Sequence, residues 1–240
     1  EKTHNMVNWA DSKNKWMQPN IPNNISRFQE SQFEAEFHLA VESHSVEEIY
    51  WVGGEPLMYE QHWRYMQRIV ELGDGPRVYA RYNTNLSRID YRGCRLYSDI
   101  LDNIRDWQIC ASIDGTGVIG EYIRTGLDYK KFCENFEAGL AHQRHRRQMR
   151  LDFTLTLPGM FEVGNIQHLA QQYDVELLAK VIFSFTPDII MSPLALPRQM
   201  LDMWIDELVP ECTSGAMRDV LLQLKNRPTF EEQWPDQYRA

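Results

Sequence analysis

Nothing in this sequence approaches the run of about 20 apolar residues that a helix needs to cross a bilayer, and the polar start EKTHNMVNWADSKNKW carries no signal-peptide core. A cytoplasmic protein without a membrane partner is the expectation. Cysteine is scarce too: Cys94, Cys110, Cys133 and Cys212 are scattered, matching neither a disulfide framework nor a CxxC metal site. They read as buried reduced thiols. The seven histidines show no HxH or HExxH spacing, so a zinc site made by the protein alone is not expected. Positive charge is in deficit, with 25 basic against 34 acidic residues and a net charge of −9, which argues against general nucleic-acid binding.

What is present is a chain of 240 residues, 43% of them hydrophobic, enough to bury a sizeable core in one α/β domain. The Pro and Asn cluster QPNIPNNIS marks the first 26 residues as irregular. Phe28, Phe33, Phe37 and Val41 then recur at helical spacing. Five runs rich in β-branched or aromatic residues follow, EIYWVGG, RVYARYNTN, WQICASIDG, MRLDFTLTLP and AKVIFSFTP, each bounded by turn residues. Helical stripes separate them: Trp63, Met66, Ile69 and Val70; Leu96, Ile100, Leu101 and Ile104; Phe132, Phe136 and Leu140; Ile166, Leu169 and Ala170. Strand alternating with helix predicts right-handed βαβ units and a parallel sheet. From Pro197 onward the pattern is helical, with Met200, Leu201, Trp204, Ile205 and Leu208, then Val220, Leu221 and Leu224.

A parallel sheet places its ligand site at the carboxyl ends of its strands. The residues gathered there would be Gly53, Gly54, Glu55 and Pro56; Asn83, Thr84 and Asn85; Ser112, Asp114 and Gly115; Thr154 and Thr156; Ser184 and Thr186. Gly53 and Gly54 allow close backbone approach, and Glu55 suits an ammonium group, although it serves equally as the cap of a tight turn. Asn83 and Asn85 are also ordinary turn residues, and Asp114-Gly115 is a common turn. Arg124 could grip a carboxylate with both arms of its guanidinium or pair with a surface acid. The basic stretch HQRHRRQMR, residues 142–150, reads as a solvated helix end or as a contact for an anionic partner.

The segments WVGGEPLM, YNTNLS and ASIDG, followed by EYIRTGLDYKKFCENFEAGL and LPGMFEVGNIQHL, together resemble the radical S-adenosylmethionine superfamily, nearest to twitch- and SPASM-type members, over residues 45–196. The resemblance implies an α/β fold, a partial (β/α)6 TIM-like barrel of parallel strands with a helical C-terminal extension. It divides the chain into an arm and first helix at 1–44, the barrel at 45–196 and the extension at 197–240. It implies that Gly53, Gly54 and Glu55 hold the amino group of S-adenosylmethionine, with Pro56 in the same cofactor-binding segment, and that Asn83, Asn85, Ser112 and Asp114 line its ribose and carboxylate side.

Where the family carries CxxxCxxC for a [4Fe–4S] cluster, this chain has no cysteine before Cys94. The expectation is that the cluster loop and first strand lie upstream of Glu1, so that these 240 residues alone do not perform the family's hydrogen abstraction from a substrate, a peptide among the options, with an electron donor as partner. Two other functions stay open. One is a cluster-less relative that binds a ligand or a partner. The other is an ordinary α/β enzyme using Glu55 and Asp114 as an acid–base pair.

Overall fold

The computed structural model describes residues 32–182 and 191–238. The chain divides into two units, Glu1–Val46 and Glu47–Ala240, and the helices beyond Pro197 belong to the second. In the first unit, helix α1 spans Glu34–Glu42, with the Phe33 and Phe37 rings stacked at 6.1 Å. Phe28 lies outside the described residues.

The second unit is built on five strands, β1 Glu48–Trp51, β2 Tyr79–Thr84, β3 Asp106–Ile113, β4 Met149–Leu155 and β5 Glu176–Val181. All neighbouring pairs are parallel, and their order in the sheet is their order in the chain. The connecting helices are α2 Glu60–Glu71, α3 Gly117–Ile123, α4 Tyr129–His142 and α5 Val163–Gln172. Two further helices follow, α6 Arg198–Glu211 and α7 Gly215–Lys225, and α7 packs against β5. No helix among the described residues is long and apolar enough to cross a membrane.

Each predicted strand is found, with one shift. β5 starts at Glu176, three residues before the predicted AKVIFSFTP, because Glu176, Leu177 and Leu178 already pair with Arg150, Leu151 and Asp152. Ser184 and Thr186 lie outside the described residues. The stripe at Leu96–Ile104 is not an α-helix but a π-helical turn, Leu96–Ile100, running into a 3-10 turn, Leu101–Asn103. Leu96, Tyr97, Ile100, Leu101 and Ile104 are all buried, so the packing demands of a short, largely buried segment override local helix preference.

The strands alternate in burial, and the alternation separates two faces. Ala80, Tyr82, Trp107, Ile109, Ala111, Met149, Leu151, Phe153 and Leu155 point to a buried face. α2 lies on it through His62, whose ring is 5.4 Å from that of Tyr82. α4 lies on it through Gly139, packed against the Met149 thioether. The opposite face is polar and half-exposed: Arg81, Asn83, Gln108, Cys110, Ser112, Arg150, Thr154 and Lys180, with Asp152 buried among them. That pattern is unusual, since parallel strands are usually apolar on both sides.

Candidate functional site

At the end of β1 the chain turns through Gly53, whose φ of 123° excludes other residues, into a 3-10 turn, Pro56–Met58, with Pro56 and Leu57 buried. Glu55 precedes this turn, and its carboxylate reaches across to the end of β2. Oε1 accepts from the Leu57 amide at 3.2 Å and from the Thr84 hydroxyl at 2.5 Å. Oε2 accepts from the Asn85 amide at 2.7 Å. A carboxylate has about four acceptor positions, so these three donors leave capacity for about one more. Glu55 therefore caps the turn and ties two strand ends together, and it keeps acceptor capacity for a ligand.

The β2 end is held under strain. Leu86, fully buried, has φ 52°, a conformation that costs an ordinary residue of order 1–3 kcal/mol and that collects at ligand sites. Its amide bonds the Thr84 hydroxyl at 3.0 Å, and its carbonyl accepts from the buried Asn135 side chain of α4 at 2.6 Å. Asn85 uses its own side chain to receive the Ser87 amide at 2.9 Å. Thr84 was expected at this strand end, but not as a tie to Glu55, and Asn135 is a support that sequence reasoning missed. Asn135 gave no signal, being one polar residue on an amphipathic helix.

At the β3 end Asp114 is nearly buried and gripped by Arg124 through both carboxylate oxygens, at 2.5 and 3.2 Å. Arg124 thus has an internal partner. Glu162, 2% exposed, accepts from the Thr116 amide at 2.6 Å, the Thr116 hydroxyl at 2.5 Å and the Asn165 side chain at 3.1 Å. It fastens the β3 loop to the β4 loop much as Glu55 fastens β1 to β2, and the sequence gave no sign of it. Thr156 turns inward to accept from the Gly159 amide at 3.0 Å.

These loops enclose a cavity of about 480 Å³ whose wall includes Glu55, Met58, Asn85, Arg124, Asp128 and Lys131. That volume is in the range of small-molecule sites. Of the predicted residues, Glu55 and Asn85 line it, Asp114 stands behind Arg124, and Gly53, Gly54 and Pro56 form the adjoining turn. Asn83 and Ser112 do not line it. They belong to the polar sheet face, with the Arg150–Glu176 pair at 3.1 Å and the Lys180–Asp152 pair at 2.5 Å. With Glu55 and Asp114 each spending acceptor positions on fixed donors, the geometry weighs against an acid–base pair.

The stretch 142–150 is occupied locally. His142 bonds Asp102 at 2.8 Å, His145 bonds Asp106 at 3.0 Å, Arg144 donates to the Ile104 carbonyl at 2.9 Å, and Arg146 pairs with Asp174. These bonds fasten the amino-terminal end of the sheet, away from the cavity.

Beneath the β1 turn, His62 is fully buried among Trp51, Trp63 and Tyr82, with Nε2 3.2 Å from the Tyr82 hydroxyl and no partner for Nδ1 among the described residues. Burial lowers its pKa from 6.5 to about 3. The folded protein therefore keeps this imidazole neutral while the unfolded chain takes up a proton below pH 6.5. Stability is full above that pH and is lost as pH falls toward 3, at about 1.4 kcal/mol per pH unit. Urea unfolding at pH 7 and pH 5 is expected to differ by about 2 kcal/mol. The His62→Phe variant should lose most of that difference, and an unchanged difference in the variant would refute the assignment.

No family model matches the chain, and no curated protein matches its sequence.

Proposed function

We propose that this chain is the S-adenosylmethionine-binding portion of a partial (β/α)6 barrel of the radical S-adenosylmethionine type. The observation that carries the proposal is the Glu55 carboxylate, fixed by three donors between two successive strand ends, with acceptor capacity to spare and in the lining of the cavity. Strand order without reversal supports it as well, since a doubly wound sheet would reverse at a switch point. So does the polar sheet face, which suits the lining of a barrel.

The residues fit the cofactor. Glu55 would take the ammonium group, Lys131 and the guanidinium edge of Arg124 would face the carboxylate, and Asn85 and Ser87 would meet the ribose hydroxyls. Bound there, the cofactor would supply a nucleoside joined to a sulfonium, and this chain's part would be to orient it and shield it from water.

The residues of this chain do not fit as ligands of an iron–sulfur cluster, which would have to come from outside them. Among the described residues no three of His, Cys, Asp or Glu are grouped to hold a metal. Burial pushes the Cys94, Cys110 and Cys212 thiols up in pKa, away from the thiolate that such a cluster needs. Anaerobic reconstitution of the 240-residue chain with iron and sulfide is expected to give no cluster absorbance; a stoichiometric chromophore would contradict this. A second reading is a cluster-less protein that keeps the rim to bind a nucleotide-like ligand. Calorimetric titration with S-adenosylmethionine tests what both share: saturable single-site binding supports the cavity assignment, and no heat at millimolar ligand overturns it.

A further inference from the structure

Residues 116–127 form one wall of the cavity, contributing Arg124, Thr125, Gly126 and Leu127, yet little holds them down. α3 has seven residues, and the buried one is Gly120. Val118 and Tyr122 turn outward, 82% and 77% exposed. Gly120 lies so close to the next loop that a Cβ there would stand 2.2 Å from the Gly115 carbonyl oxygen. The helix thus sits backbone on backbone at Gly120, and its apolar side chains Ile119 and Ile123 are only half-buried. Glycines bracket the segment at Gly117 and Gly126. Thr116 anchors its start to Glu162 and the exposed Glu121 accepts from the Tyr129 amide at 3.0 Å; the remaining tie toward its end is the Arg124–Asp114 ion pair, with side chains 28% and 12% exposed. Segments with little buried apolar surface open at low free energy, and a few loop residues suffice as hinges.

We propose that residues 116–127 are a lid over the Glu55–Asn85 cavity, hinged near Gly117 and Gly126 and latched by Arg124 to Asp114. Opening removes the wall formed by Arg124 to Leu127 and widens access to Glu55. Closing returns Gly120 to its seat on Gly115. As a lid it rests on the cavity being a ligand site, but the latch can be tested with no ligand present.

Hydrogen exchange read by mass spectrometry on wild type and Arg124→Gln is the test. Amides of 117–123 are expected to exchange about tenfold faster in the variant, with β3 and α4 unchanged. Cleavage by chymotrypsin after Tyr122 should accelerate in parallel. Gly120→Ala, which unseats the helix without altering charge, should give the same local pattern. Unchanged exchange in both variants would overturn the lid. So would faster exchange spreading through β3 and α4, since the ion pair would then be a strut of the whole fold. Added S-adenosylmethionine should slow exchange at 117–123. Binding seen by calorimetry with no slowing there would refute the lid and leave the ligand assignment standing. Absence of binding would refute the ligand assignment and leave the latch to the ligand-free result.

Discussion

Glu55→Ala is expected to weaken S-adenosylmethionine binding at least about 100-fold, because it deletes both the charge that meets the ammonium group and the acceptor that orients the β1 and β2 ends. Glu55→Gln should lose about tenfold, since an amide oxygen can still take the Asn85 amide while its NH2 approaches the Thr84 hydroxyl at the cost of the Leu57 contact. The ordering of the two variants separates the roles of Glu55. A purely structural cap would leave ligand affinity in Glu55→Gln equal to wild type. Titration calorimetry gives the affinities, and circular dichroism checks that both variants are folded. Glu55→Ala is also expected to lose about 1–3 kcal/mol of stability, softened by water reaching this half-exposed turn.

The largest effect on folding is expected at Phe153. It is fully buried in β4, in register with Ile113 of β3 and Ala179 of β5, and its ring reaches toward Gly159 in the turn that leads to α5. Phe153→Ala should cost about 3–5 kcal/mol, the loss of the buried ring plus the cavity left between strands that cannot close up. Denaturant unfolding at neutral pH measures it, and a loss below about 1 kcal/mol would mean that the sheet is not packed as described. Because β4 lies far along the chain from Glu55, the variant also tests whether the cavity depends on the whole sheet. If it remains folded at low temperature, ligand affinity should stay within a few fold of wild type.

The strands were legible because their runs were bounded by turns, and α2, α4 and α5 because their apolar stripes were regular. Less legible was the Leu96–Ile104 segment, whose spacing gave the buried side chains correctly while packing set the width of its turns. The start of β5 was missed because Glu176 is polar at an edge position, and only pairing with Arg150 reveals it as strand. At the site, Glu55 and Asn85 were found by position alone: a carboxylate and an amide at successive strand ends. Hidden from the sequence were the fasteners Asn135 and Glu162 and the tie of Thr84 to Glu55, since a hydrogen bond between residues 29 or 46 apart leaves no local pattern. Asp114 and Arg124 were both singled out, but not as partners. The polar sheet face was written in the alternation of YARYNT and MRLDFTL, a signal easily passed over when parallel strands are expected to be apolar throughout.

The central claim is that the Glu55–Asn85 cavity holds the amino-acid end of S-adenosylmethionine, and amide chemical shifts followed during titration of the 15N-labelled chain test it most directly. Saturating shifts should appear at Gly54, Leu57, Asn85 and the 124–127 segment, with the amides lining the opposite-end cavity around Gln167 and Thr213 unmoved. Shifts confined to that opposite end, or none at millimolar ligand, would contradict the account.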